Sequence, residues 1–252
     1  GLLIMAGGHS LNSFLDYEWT GVDKGDVDER SAEKGYTGGQ SLIARGIISS
    51  REVLCNACGW YMCASILLVY LSLQTSWMML VIGVIGMLMT FWYSKSKFNW
   101  THEIALGTAV GPIPLLIGMF SVNVDPPWIT GIIASVPIAI ILSFLGLAID
   151  EYPDAEANLK KGVKSVAYMV WKNKVDLMAY TGLWLAVLYC YQVFLIVLGI
   201  LAPLTGITFL LIFPFFSLLV MLKGNFERAA SIIVAVGALY PILLVIGQAL
   251  GK

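Results

Sequence analysis

Residues 128–164 read WITGIIASVPIAIILSFLGLAIDEYPDAEANLKKGVK. The first 22 residues of this stretch carry no charge. Asp150, Glu151, Asp154 and Glu156 then arrive together, followed by Lys160, Lys161 and Lys164. A bilayer-crossing helix needs about 20 mostly apolar residues. The stretch is therefore a membrane span that ends in an acidic segment, and the chain around it repeats that pattern.

The whole chain of 252 residues is 58% hydrophobic and only 12% charged, with a mean hydropathy of +0.82. Soluble domains carry about 25% charged residues. A chain this apolar cannot cover itself with polar surface in water, so lipid is its solvent. Eight spans are expected, near 1–15, 53–73, 76–93, 104–122, 128–149, 177–200, 203–222 and 229–250. The fold class is thus all-α, a polytopic transmembrane helix bundle forming one domain over 1–252. Two long charged loops, 16–52 and 150–176, interrupt it. The first span is short and the chain opens on Gly1, so a further helix upstream is expected. The opening has neither a basic leader nor a small-residue cleavage site and is not a signal peptide. Pro112, Pro114, Pro137 and Pro214 fall inside spans, where neighbouring helices can satisfy the carbonyls they free.

Threading the spans puts segments 16–52, 94–103, 150–176 and 223–228 on one side of the membrane. These hold 14 of the 15 Lys and Arg residues, leaving only Lys252 opposite, and 15 of the 16 acids, leaving only Asp125. Basic loops face the cytoplasm, so the charged side is expected there, in a multi-pass protein of the cell membrane. The net charge of −1 identifies no partner. Without a basic patch interleaved with aromatics, nucleic acid is not expected as one. Cys55 and Cys58 form a C-x-x-C, but it lies in an apolar helical run with no second pair. Cys55, Cys58 and Cys63 of this run are read as buried structural thiols.

Two polar clusters end spans on the charged side. In HSLNSFLDYEWTGVD, Asn12 and Asp16 are four residues apart and share a helix face, with His9 one turn earlier and Asp23 further on. In IDEYPDAEANLKKGVK, Asp150 and Asp154 repeat the spacing and Asn158 extends it. Pro153 suits a first turn better than a helix interior, so this cluster is expected at a helix–loop junction. Asn12 and Asp150 are 138 residues apart, with four spans from one cluster to the next, the pattern of a duplicated four-helix unit. Ionisable groups in membrane helices are costly and mark function by default. Facing carboxylates repel unless a cation lies between them, and hard oxygen donors favour Mg²⁺. Mg²⁺ fills its remaining positions with water and substrate phosphates. An apolar molecule bearing a diphosphate, such as an isoprenyl diphosphate, fits. The competing readings are interfacial caps, which a matched pair of clusters disfavours, and a cation-coupled transporter. A transporter would carry its charges deep within broken helices.

At these residues the chain resembles the UbiA superfamily of intramembrane prenyltransferases, most closely its naphthoate branch in the menaquinone pathway. The likeness to the first family motif rests on Asn12, Asp16 and Asp23, then on Gly38, Gly39, Arg45 and Gly46. Glu103, Gly111 and Pro112 match a later helix. Glu151, Pro153, Asp154, Glu156, Ala157 and Gly162 match the second motif. Asp150 and Asn158 exchange the family's usual Asn and Asp, and Ser13 replaces an Asp. The resemblance implies Mg²⁺-dependent transfer of an isoprenyl group from its diphosphate (geranyl or longer) to an apolar aromatic acceptor, a quinone precursor. It implies Asn12, Asp16, Asp150 and Asp154 as catalytic metal ligands, with Asp23 and Asn158 beside them. Arg45, Lys160 and Lys164 are candidates to grip diphosphate oxygens. His9, His102 and Glu103 are candidates to meet the acceptor. Tyr17, Trp19, Tyr152, Tyr168 and Trp171 lie near the motifs and offer faces to an allylic cation. Other acceptors known in the family, namely haem, chlorophyllide, hydroxybenzoate and glycerol phosphate lipids, remain open.

Overall fold

The computed structural model describes residues 1–22, 24, 40–210 and 213–251. Every regular element among them is helical. Helix α1 (Leu2–Phe14) runs into a π-helical segment, Leu15–Trp19, and the short α2 (Gln40–Ala44) follows. Then come α3 (Ser50–Gln74), α4 (Met78–Ser96), α5 (His102–Val110), α6 (Pro112–Val122) and α7 (Trp128–Ala139). A second π segment, Ile140–Leu147, leads into α8 (Ala148–Glu151), a 3₁₀ turn (Tyr152–Asp154) and α9 (Ala155–Lys160). The chain ends with α10 (Val166–Lys172), α11 (Leu177–Val197), a 3₁₀ segment (Pro203–Leu210), α12 (Phe213–Leu222) and α13 (Phe226–Leu250).

Six helical stretches among the described residues are long and apolar enough to cross a membrane: Ser50–Gln74, Met78–Ser96, His102–Val122, Trp128–Lys160, Leu177–Val197 and Phe226–Leu250. The protein is a polytopic helical bundle. The other two expected spans are not among the six. Helix α1 has only 13 residues. The 203–222 stretch begins as 3₁₀ helix, and residues 211 and 212 lie outside the described residues.

The chain divides into two compact units, residues 1–105 with 113–128 and residues 106–112 with 129–252. In the first, α1 packs against α3 and α4. Gly7 and Gly8 allow this approach: a Cβ on Gly8 would lie 2.8 Å from the Thr90 methyl, and one on Gly7 3.1 Å from the Tyr61 ring. Small residues let membrane helices come this close. In the second unit, Ile141, Leu145 and Ile149 form a core with Leu185, Leu188, Ile233, Val236 and Tyr240. The fully buried Gln192 ties the 3₁₀ segment to α11 and α13. Its Nε2 donates to the Thr205 carbonyl at 2.9 Å and to Thr208 Oγ1, and its Oε1 accepts from the Tyr240 hydroxyl at 2.8 Å. Backbone outside α-helical geometry is tolerated at membrane depth only where protein supplies such partners.

Two local expectations change. Around Pro153 the chain stays helical: the proline falls in the 3₁₀ turn, where its missing N–H interrupts no α-helical ladder. All four cysteines are exposed rather than buried. Helix α3 is apolar on all sides, so no periodicity marks an inner face, and thiols tolerate lipid.

Candidate functional site

Each unit presents one motif. In the first, Asn12 and Asp16 both reach the end of α4. The Asn12 side-chain carbonyl accepts from Ser94 Oγ at 2.7 Å. Asp16 lies in the π segment and is 1% exposed. Its Oδ2 accepts from Lys97 Nζ at 2.5 Å, while among the described residues its buried Oδ1 has no hydrogen-bond partner. Lys97 also sits 5.5 Å from the Tyr93 ring centre. Tyr93 stacks on His102, with centroids 4.4 Å apart and planes at 29°. Ser96 Oγ approaches His102 Nδ1 at 3.4 Å. His102 and Glu103 are buried where α5 begins. A polar cluster thus forms where α1 and α4 end and α5 starts. π-helical turns are rare and occur often at functional sites; this one carries Asp16.

The remaining candidates of this unit stand differently. His9 is exposed, and its carbonyl accepts from Ser13 Oγ. Arg45 is exposed at the end of α2, next to Gly46, whose φ of 68° closes the turn in the left-handed region that glycine enters without strain. Helix α2 packs against the π segment that holds Asp16. Asp23, Gly38 and Gly39 lie outside the described residues.

In the second unit, Asp150 is on α8 and Asp154 closes the 3₁₀ turn, both half-buried. The second π segment ends at Leu147, three residues before Asp150. The Asn158 carbonyl ends α9 by accepting from Lys161 N at 3.1 Å and Val163 N at 3.0 Å, around Gly162 at φ 81°. Lys160 pairs with Glu156 at 3.2 Å, with side chains 74% and 62% exposed. Lys164 is exposed. Tyr152 meets Phe226 with centroids 5.8 Å apart. Both border a cavity of about 590 Å³, shared with Trp171, Lys174 and Asp176.

Among the described residues, no group of three or more His, Cys, Asp or Glu side chains clusters to hold a metal. The donor set still fits Mg²⁺. That ion takes one or two protein carboxylates and leaves its other positions to water and phosphate. Asp16 offers a buried oxygen with no partner among the described residues, and a buried carboxylate oxygen left so is costly. Sequence reasoning missed Tyr93, Ser94 and Lys97. The signal is the YSKSK run at 93–97, whose lysines read in sequence as topology charges. They separate in the fold: Lys97 turns to Asp16, whereas exposed Lys95 sits 4.2 Å from the centre of the Trp19 ring.

The sequence matches the UbiA prenyltransferase family over residues 1–245. The chain belongs to this family. It is also similar to the 1,4-dihydroxy-2-naphthoate octaprenyltransferase of Bacillus subtilis (strain 168), with 28% identity over 205 residues. That alignment covers 79% of this chain and 61% of the relative, so the chain spans less than two thirds of the relative's length. No solved structure matches. As a UbiA family member, the chain carries its two polar motifs on helix ends that border apolar spans, one in each unit.

Proposed function

We propose that this protein is a prenyltransferase. It moves an isoprenyl group from a prenyl diphosphate to an aromatic quinone precursor within the membrane, with Mg²⁺ as its cofactor. The reading rests on family membership, on the naphthoate relative and on one observation above the rest: Asp16 is buried beside Lys97 with an oxygen that has no partner among the described residues. In this proposal the bundle crosses the membrane eight times as two related four-helix units, with both motifs at the cytoplasmic face.

Asn12 and Asp16 in the first unit, with Asp23, and Asp150 and Asp154 in the second, with Asn158, would each be oxygen donors to Mg²⁺. Bound there, Mg²⁺ would neutralise charge that builds on the departing diphosphate. The chain's own part is positioning. Ser94 orients Asn12, and Lys97 places an ammonium beside Asp16 for the diphosphate oxygens. Arg45, Lys160 and Lys164 add cations around them. When the allylic C–O bond breaks, its electron pair leaves with the diphosphate. The carbon then bonds to the acceptor ring, which gives up a proton. Excluding water protects the allylic cation from hydrolysis. His102, stacked on Tyr93, and the buried Glu103 that follows it are proposed to meet the acceptor.

The test is product analysis. Purified protein is incubated with labelled geranyl diphosphate or a longer homologue and a panel of acceptors, in Mg²⁺ or in excess chelator. A Mg²⁺-dependent, covalently prenylated naphthoate is expected. Prenylation of haem, chlorophyllide, hydroxybenzoate or a glycerol phosphate lipid instead would move the acceptor class. No covalent product from any acceptor, together with cation-coupled uptake in vesicles, would replace the enzyme by a transporter.

A further inference from the structure

The two lysines that end α4 point to different chemistry, and only Lys97 belongs to the site above. Lys95 lies at one end of an open groove of about 340 Å³ on the outer surface of the first unit. Its wall is built from Trp19, Leu88, Met89, Phe91 and Trp92. Leu88, Trp92 and Lys95 are spaced i, i+4, i+7, so they form a single stripe along α4. Leu88, Phe91, Trp92 and Trp19 are 60%, 46%, 48% and 53% exposed, and Lys95 is exposed as well. Helix α4 is one of those able to cross a membrane, so this stripe faces acyl chains and not water. At a rise of about 1.5 Å per residue, Leu88 to Lys95 covers roughly 10 Å, the reach of about eight methylenes of an extended chain.

Among the described residues, the Trp19 ring is the group that Lys95 touches, and no carboxylate pairs with it. A cation at the head of an apolar trough, held over an aromatic face, is complementary to an amphiphile with an anionic head and an aliphatic tail. Two tryptophans at this end of the span are also the residue type that sits at headgroup depth.

We propose that this groove is a binding site for an anionic glycerophospholipid. Lys95 pairs with the headgroup phosphate, and one acyl chain lies along Trp92, Phe91 and Leu88. The site reaches the first motif through two short connections. Trp19 is the last residue of the π segment that contains Asp16, and Lys95 precedes by two residues the Lys97 that holds Asp16. A lipid seated there braces Trp19 and, through it, the turn that presents Asp16. The inference goes beyond the proposed reaction and does not depend on it, because lipid retention is measured without turnover.

The test is native mass spectrometry of the full chain released from nanodiscs of mixed phosphatidylglycerol and phosphatidylcholine. Wild type is expected to retain one phosphatidylglycerol in preference to phosphatidylcholine. The variant K95Q should lose that preference about five-fold, the worth of one basic residue near an anionic surface, whereas K95R should keep it. W92A should weaken retention of both lipids by removing the trough wall while leaving the charge in place. Equal retention of the two lipids by wild type, or an unchanged preference in K95Q, overturns the proposal. A dimer whose contact is lost in W92A, with no retained lipid, assigns the groove to a second copy of the chain and overturns it too.

Discussion

The two motif regions look like copies in sequence and differ in the fold. Each places a polar residue and an Asp four positions apart at the end of a span, and each adjoins a π-helical segment. In the first, the carboxylate of Asp16 is sealed from solvent and neutralised by Lys97. In the second, Asp150 and Asp154 are half-buried, and nearby Lys160 and Lys164 extend outward. Matched spacing thus fixes which residues share a face but not how much water each sees. Charge at the first motif is part of the fold. The second motif lies closer to solvent.

The largest effect expected is on catalysis, and it should be shared by the two regions. Asp16→Ala and Asp154→Ala should each cut prenyl transfer by roughly a thousand-fold or more, the several kcal/mol that a metal site supplies to a leaving group. Both proteins should stay folded in detergent. Transfer that persists undiminished in either variant removes that residue from the site.

Stability should separate the regions. Lys97→Met strips the counter-ion from a buried carboxylate, and breaking such a pair typically costs about 3–5 kcal/mol. Thermal unfolding in detergent should show a large drop without Mg²⁺ and partial recovery when Mg²⁺ is added. The double variant Lys97→Met with Asp16→Asn should be more stable than Lys97→Met alone, since no buried charge is left unpaired. A Lys97→Met protein as stable as wild type would show that the pair does not hold the first motif.

Much of this architecture was legible in the sequence, because membrane spans announce themselves by length and composition. Six expected spans recur as helices long enough to cross a membrane. The other two are not among those six: α1 has 13 residues, and the 203–222 stretch includes residues 211 and 212, outside the described residues, and begins in 3₁₀ geometry held by Gln192, a tertiary contact with no local signature. The cysteines were misjudged because burial in a lipid-facing helix has no polar face to betray it. At the site, residue types and spacing were visible, but partners were not. Lys95 and Lys97 are two residues apart and chemically identical in sequence, yet they face different surroundings. Only the packing of α1 on α4 decides which one meets Asp16.

The smallest effect expected lies on the outer edge of the second motif. Lys160 pairs with Glu156 one helical turn away, and both side chains are largely in solvent. Exposed i,i+4 pairs are worth about 0.3–0.5 kcal/mol. Lys160→Gln should therefore leave the unfolding temperature almost unchanged. A charge-assisted hydrogen bond to an anionic ligand is worth about 1.5–3 kcal/mol, so the same variant should raise the KM for the prenyl diphosphate about ten-fold, with kcat nearly constant. Glu156→Gln separates the two roles: it breaks the pair but keeps the lysine, so stability should change as little as in Lys160→Gln while KM stays the same or falls. If Lys160→Gln moves neither quantity, its charge serves only to orient the chain in the membrane. The second motif would then draw its diphosphate contacts from Lys164 and the aspartates.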